Sequence, residues 1–170
     1  MSAPSPWIAR FAPLIPPGPV LDLAAGRGRH SLLMRDLGHA VLAVDRDAAA
    51  LAGLAGARIE TMAEDLETGA SPACLARRFA GVVVTNYLHR PLLPAIVAAV
   101  APGGWLLYET FARGNQRFGK PSNPAFLLEA GELLETVRGT LRVVAYEDVE
   151  LGDPRPAMIQ RIAARRPPPT

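Results

Sequence analysis

The chain has a single cysteine, Cys74, in 170 residues. A disulfide within the chain is therefore excluded, and a reducing, cytoplasmic setting is expected. Cys74 itself reads either as a small, half-buried residue of a short helix or as a catalytic thiol. Lysine is nearly missing: Lys120 stands alone among 18 basic residues, and the rest are arginine. Beside abundant alanine and proline, that reads as compositional bias and not as a binding signal. The formal net charge of +2 is too small to indicate a nucleic-acid partner. No apolar run approaches the ~20 residues that span a bilayer, so no membrane partner is expected. Residues 1–19 carry an arginine and several prolines through their apolar part, which does not suit a secretory signal. No His, Cys, Asp or Glu spacing suggests a metal site.

What is present is a regular alternation. With 49% apolar residues, the chain can enclose a core, and one domain over 1–170 is expected. Trp7, Ile8 and Phe11 form one amphipathic turn in an N-terminal arm, 1–19, that either plugs the core or covers a ligand. Strands are expected at Val20–Ala24, 40–45, Arg58–Met62, 81–86 and 105–111. Helices are expected between them at Arg29–Leu37, Asp47–Leu54, Pro72–Arg78 and Leu92–Val100, the last stopped by "PGG" at 102–104. Continuous apolar strands suit a sheet covered on both faces, so the rhythm predicts a doubly wound α/β fold with a mostly parallel sheet. A polar loop at 112–124 follows, long enough to suggest a mobile element near a site. A helix at Phe126–Val137 and two antiparallel strands at 141–151 and 157–166 complete the pattern.

The stretch "VLDLAAGRGRHS" (20–31) is a strand, a glycine turn and a helix start. Gly26 and Gly28 allow a tight turn and close backbone approach to a ligand. A dinucleotide fingerprint wants a third glycine where Ser31 stands. Asp22 would repel a pyrophosphate and hold a cation, such as the ammonium or sulfonium of S-adenosyl-L-methionine. Alternatively, Asp22 caps the turn or pairs with Arg27 or Arg29. Asp45, ending the second strand, can accept ribose hydroxyls or cap the next helix. Asp65, in "EDLE" (64–67), can take an adenine amino group or lie in a solvated acidic loop.

In order and spacing, "VLDLAAGRGRHS", "VLAVDRD", "AEDL", "GVVVTNYLHR" and "APGGWLLYETF" resemble the motifs of class I S-adenosylmethionine-dependent methyltransferases over roughly 18–165. "YETF", "GNQRFGKPSNPAFLL" and "GELLE" look most like compact bacterial methyltransferases of the tellurite-resistance type. The resemblance implies a Rossmann-like, seven-stranded sheet with an antiparallel C-terminal strand, and S-adenosyl-L-methionine as cofactor. It implies that Asp22 holds the methionine ammonium, directly or through water. Ala24, Gly26 and Gly28 would give a backbone wall. Asp45 would bind the ribose, and Arg46 would border the adenine. Asp65 and Leu66 would contact the adenine edge and face, and Asn86 with Tyr87 would line the methionine side. The sequence departs from the family at Ala80–Gly81, where many relatives have an acidic residue. It also lacks the "NPPY" motif of amino-group DNA methyltransferases.

Methyl transfer from a sulfonium is an in-line displacement that needs positioning and exclusion of water. A hydroxyl or ammonium acceptor would also need a base. The candidates are Tyr87, His89 and Glu109, with His30 opening the first helix. Arg90 and Arg113 are candidate anion clamps for a small-molecule acceptor. For His89, Arg90 and Glu109 a structural role in the loop or in an ion pair is the alternative. Two other functions stay open at this point: an NAD(P)-dependent oxidoreductase, and an S-adenosylmethionine-binding protein without catalysis.

Overall fold

The computed structural model describes residues 2–170. Strands β1 (Val20–Leu23), β2 (Val41–Asp45), β3 (Ile59–Ala63), β4 (Phe79–Thr85) and β5 (Val100–Phe111) lie parallel to one another. Two more, β6 (Arg142–Leu151) and β7 (Ala157–Arg165), complete one seven-stranded sheet in the order β3-β2-β1-β4-β5-β7-β6. Only β7 runs against its neighbours on both sides. The helices are α1 (Pro6–Phe11), α2 (Arg29–Asp36), α3 (Ala48–Leu51), α4 (Leu93–Ala98) and α5 (Glu132–Val137). The expected doubly wound, mostly parallel Rossmann-like sheet is thus the fold. Among the described residues, no helix is long and apolar enough to cross a membrane.

Each central strand feeds two cores because its side chains alternate between faces. Val20, Ala43, Val83 and Leu107 meet the arm and the helices of the first half, including Trp7, Phe11, Met34 and Leu51. Leu21, Val44, Val82 and Tyr108 meet Ile96 of α4 and Leu133 of α5 on the other face. Trp7, Ile8 and Phe11 are all buried in the first of these cores. Burial at roughly 2 kcal/mol per large apolar side chain makes the arm a core plug. Ser5 starts its helix, accepting from the Trp7 amide at 3.2 Å. Ile15 then packs against Gly81, where the sequence departs from the motifs it resembles. A Cβ on Gly81 would stand 2.7 Å from Ile15 Cδ1, so small residues at 80–81 make room for the arm.

Several helices are shorter than expected. Asp47 does cap α3, accepting from the amides of Ala49 and Ala50 at 3.0 and 3.1 Å. The helix nonetheless ends at Leu51, not Leu54. The segment 72–78 forms only a 3-10 turn, Ala73–Ala76. The helix expected over Phe126–Val137 starts at Glu132, after Gly131 at φ +74°. Upstream, Leu128 bridges to Ala112, and Arg90 takes the carbonyls of Ala125 and Leu127. Those acceptors are therefore lost to a helix. "PGG" does not stop α4, which ends at Ala98; β5 runs through it as a bulge, with Phe79 opposite Val100 and Gly81 opposite Trp105. Gly104 is obligatory there, since a Cβ would meet three carbonyl oxygens at 2.8–2.9 Å.

Candidate functional site

At the carboxyl ends of the parallel strands, where doubly wound sheets bind ligands, the chain leaves two adjoining cavities of about 630 Å³ each. Ala24, after β1, and Asn86, after β4, line both. Both are non-glycine residues with left-handed backbone, at φ +55° and +53°. Such conformations cost of order 1–3 kcal/mol and collect at functional sites. Their common position between the cavities marks this edge of the sheet as the site.

The larger wall of the first cavity, the cleft, is acidic. Asp45, Asp47, Glu64, Asp65 and Glu67 line it, with Arg46 as the one basic side chain. Asp45 organises it. Its Oδ2 accepts from the Gly26 amide at 2.8 Å and its Oδ1 from the Asp47 amide at 2.9 Å. Each oxygen keeps a further lone pair for a ligand hydroxyl. Gly26 stands at φ +54°, and a Cβ there would meet nothing within 4 Å, so its open side faces the ligand space. Gly28, at φ +74°, is needed for packing instead, because a Cβ would fall 2.4 Å from Leu54 Cδ1. Asp65 and Leu66 form the β3 side of the cleft. Asp65 also turns its own loop, accepting from the Glu67 amide at 2.9 Å. These groups suit an adenosine: a carboxylate with free acceptor sites for ribose, and an acidic edge with an apolar face for adenine.

Asp22 lies beneath the cavity surface. Its carboxylate is 1% exposed, lines neither cavity, and accepts from Ser31 Oγ at 2.6 Å. Burial pushes its pKa up to about 6. Asp22 thus anchors α2 to β1 through Ser31, beneath the residues that line the cavities, and of the two expected forms of the ammonium contact, direct or through water, the second is the one this position suits.

Of the acceptor-side candidates, Glu109, Arg90 and Arg113 are all engaged in ion pairs. Glu109 shares its strand face with Trp105 and Leu107, away from the cleft. It pairs with Arg161 at 3.3 Å, and Arg161 also holds Glu147 at 2.6 Å and lies 4.8 Å over the Trp7 ring. Arg90 is consumed by Glu132 at 2.7 Å and by two carbonyls, so it clamps loops and not an acceptor. Arg113 pairs with Glu129 at 2.6 Å. His89 precedes a 3-10 turn and lines neither cavity. Cys74 is buried, and burial pushes its thiol up to about 12, which removes it as a nucleophile.

Tyr87 does line the cleft. Its hydroxyl is buried, with no hydrogen-bond partner among the described residues. Burial, and then Glu67, push its pKa up. It is therefore a donor and not a base. Thr110, Phe111, Pro121 and Phe126 complete that wall. Sequence reasoning missed Thr110 and Phe111, although the alternation along β5 puts Thr110 on the face opposite Glu109. Loop 112–124 reaches the cleft through Pro121, and its buried Asn115 ties it down, donating to the Pro121 carbonyl and accepting from the Met158 amide.

Residues 2–140 match the family model described as a methyltransferase domain. No curated protein gives a significant sequence match. Among solved structures, the chain is similar to TehB from Haemophilus influenzae at 23% identity and TM-score 0.76, over 98% of this chain and 63% of that one. It therefore spans less than two thirds of TehB. It is also similar to 1,6-didemethyltoxoflavin-N1-methyltransferase from Burkholderia thailandensis, solved with 1,6-didemethyltoxoflavin and S-adenosylhomocysteine bound. That match has 25% identity and TM-score 0.63, over 94% of this chain and 78% of that one. An S-adenosylmethionine-dependent methyltransferase from Methanosarcina mazei matches at 15% identity and TM-score 0.70, over 99% of this chain and 100% of that one. The oxidoreductase alternative is set aside by the family match. With 139 of its 170 residues inside the family model, the chain belongs to the methyltransferase-domain family.

Proposed function

We propose that this single domain binds S-adenosyl-L-methionine across the cleft and transfers its methyl group to a small-molecule acceptor. When bound, the cofactor supplies a methyl group activated by a positively charged sulfur. The protein's part is to bind, orient and exclude water. Asp45 receives the ribose hydroxyls while holding the glycine turn at Gly26. Asp65 and Leu66 take the edge and face of the adenine, with Arg46 at its border. Ala24, Gly26 and Asn86 give backbone surface beside the methionine portion, and the acidic wall favours a cationic ligand.

The acceptor lies between Tyr87, Thr110, Phe111, Pro121 and Phe126. Tyr87 stays protonated, its hydroxyl buried near Glu67, and contributes its ring to the wall beside the acceptor. No histidine lines the cleft, so an acceptor that is nucleophilic without a dedicated imidazole base is favoured. A small molecule is the acceptor proposed, and the similar Burkholderia enzyme was solved with 1,6-didemethyltoxoflavin bound. Nucleic acid is not proposed as substrate.

The observation that carries this reading is the position of Asp45, bonded to the glycine turn and open to the cleft. Calorimetry with S-adenosylhomocysteine beside NADP⁺ tests it. The first is expected to bind, and Asp45→Ala to weaken it about a hundredfold, as for loss of two charge-assisted hydrogen bonds. Binding of NADP⁺ alone would overturn the reading.

A further inference from the structure

Among the described residues, Phe126 is the one aromatic side chain left largely at the surface, 49% exposed, and it lines the cleft. The core gains little from a ring left half in water. Its backbone is nonetheless held on both sides. Arg90 donates to the carbonyl before it, Ala125, at 3.0 Å, and to the carbonyl after it, Leu127, at 2.8 Å. Glu132 orients that guanidinium in turn. The Asn123 side chain accepts from the Ala125 amide at 3.0 Å, and the Leu128 amide donates to the Phe111 carbonyl at 3.0 Å. Ordering a backbone costs entropy. Here the result of that ordering is an apolar ring presented to the cleft beside Phe111 and Tyr87.

Charge at this end of the cleft is of one sign. Arg90, Arg113 and Arg117, the arginines of the neighbouring loops, are paired with Glu132, Glu129 and Glu150. Lys120 does not line the cleft. Burial raises the pKa of Tyr87, and Glu67 and Asp65 raise it further against the opposing effect of Arg46. An anionic acceptor would therefore enter against the field of the cleft. An ammonium would be attracted, but it has no lone pair with which to displace the sulfonium.

We infer that the acceptor is a flat, uncharged aromatic molecule that stacks on Phe126, and that Arg90 is the positioning residue that holds this ring over the cleft. The inference rests on the methyl-transfer reading above and names the acceptor class for the same site. Ring faces prefer other rings in stacked or edge-on contact. A half-exposed phenylalanine on a fixed backbone offers such a contact without rearrangement.

The test uses protein saturated with S-adenosylhomocysteine and three probes of one skeleton: 2-naphthol, flat and neutral; 2-naphthoate, flat and anionic; and decahydro-2-naphthol, neutral and not flat. Calorimetry is expected to show 2-naphthol binding at least about tenfold more tightly than the naphthoate and about threefold more tightly than the saturated alcohol. Phe126→Ala, at a surface position, should weaken 2-naphthol about tenfold and leave S-adenosylhomocysteine within about twofold; Phe126→Trp should restore the stacking. Arg90→Ala should weaken 2-naphthol about fivefold in the otherwise native protein and no further in the Phe126→Ala background, because it acts through that ring. Equal losses in both backgrounds overturn the positioning role. Preference for the naphthoate, equal affinity for the flat and saturated alcohols, or unchanged 2-naphthol binding in Phe126→Ala overturns the acceptor class and leaves the cofactor reading in place. So does 2-naphthol that binds only when S-adenosylhomocysteine is absent, or not at all. Native protein that fails to bind S-adenosylhomocysteine overturns the methyl-transfer reading, and this inference with it.

Discussion

Around β1 and β2 the carboxylates hold backbone amides and a serine hydroxyl; around β4 and β5 they hold arginines. Asp45 reaches the Gly26 amide, 19 residues away, and Asp22 reaches Ser31, nine away. On the other side, Arg90 reaches Glu132 across 42 residues, and Arg161 reaches Glu109 across 52. The first half of the site edge is thus shaped by bonds within one strand-turn-helix neighbourhood. The second is stitched from elements far apart in the chain. In the local half a polar side chain can serve the turn and a ligand together, as Asp45 does. In the long-range half the strong polar groups are used up in joining elements, and the ligand wall is left to Tyr87, Thr110, Phe111, Pro121 and Phe126.

Acid should separate the two halves most clearly. In the local half, Asp22 and His30 are both buried and both shifted, to about 6 and about 4. Their signs oppose. The folded-state pKa of Asp22 lies above its ordinary value, so its contribution is present at low pH and is lost as pH rises toward 6. That of His30 lies below its ordinary value, so its contribution is present above about 6.5 and is lost as pH falls toward 4. Between pH 6.5 and 4.5 each is worth about 2 kcal/mol, and together they nearly cancel. Single variants expose them. Urea denaturation of His30→Gln should show stability rising on acidification through this window, and Asp22→Asn should show it falling. The ion pair of the long-range half adds little here, because the lowered pKa of Glu132 confines its loss to below about 4.5. Parallel curves for both variants would mean that these two side chains are not the groups that titrate.

Arg90→Ala attacks the other half. It strands Glu132, whose side chain is only 17% exposed, and frees the carbonyls of Ala125 and Leu127. A loss of about 2 kcal/mol is expected, since hydrogen bonds to a charged group are removed and a half-buried carboxylate is left unpaired. Affinity for S-adenosylhomocysteine should stay within about twofold, a change of under half a kcal/mol. A hundredfold loss of that affinity with unchanged stability would return Arg90 to the ligand.

The same contrast explains what could be read from the sequence. Asp45, Asp65, Leu66, Gly26, Ala24 and Asn86 were legible because strand ends and a glycine turn fix their place locally, and all line one cavity or both. The strand sequence and the antiparallel C-terminal pair were legible from apolar periodicity. Glu109 was misread because its partner is set by the β5–β7 register, with Glu109 directly opposite Arg161. No local pattern carries that register. The alternation Trp105, Leu107, Glu109 against Leu106, Tyr108, Thr110 was available, however, and it separates the two faces. The depth of Asp22 was not legible: the residue belongs to the glycine-turn neighbourhood, but a four-residue strand with every position buried sends it under α2. Arg90 and Arg113 look like free cations in sequence because Glu132 and Glu129 come close only when the chain between Ala112 and Leu128 folds back.

A smaller effect tests whether the local half is strained. Ala24 and Gly26 share a left-handed backbone at φ +55° and +54°, yet one carries a methyl group and the other does not. For an L-residue that conformation costs roughly 1–2 kcal/mol, partly offset in Ala24 by the lower entropy of its unfolded chain. Ala24→Gly should therefore raise the urea midpoint, by up to about 1 kcal/mol in stability, and Gly26→Ala should lower it by a similar amount. The two differ in their ligand effect. A Cβ at position 26 enters the space left open beside the turn, so Gly26→Ala should also weaken S-adenosylhomocysteine binding. Loss of the Ala24 methyl only widens the junction between the cavities, so Ala24→Gly should leave binding within about twofold. If Ala24→Gly destabilises the protein instead, the methyl's packing outweighs the backbone cost, and the turn is a relaxed structure that Asp45 decorates rather than a strained one that it holds closed.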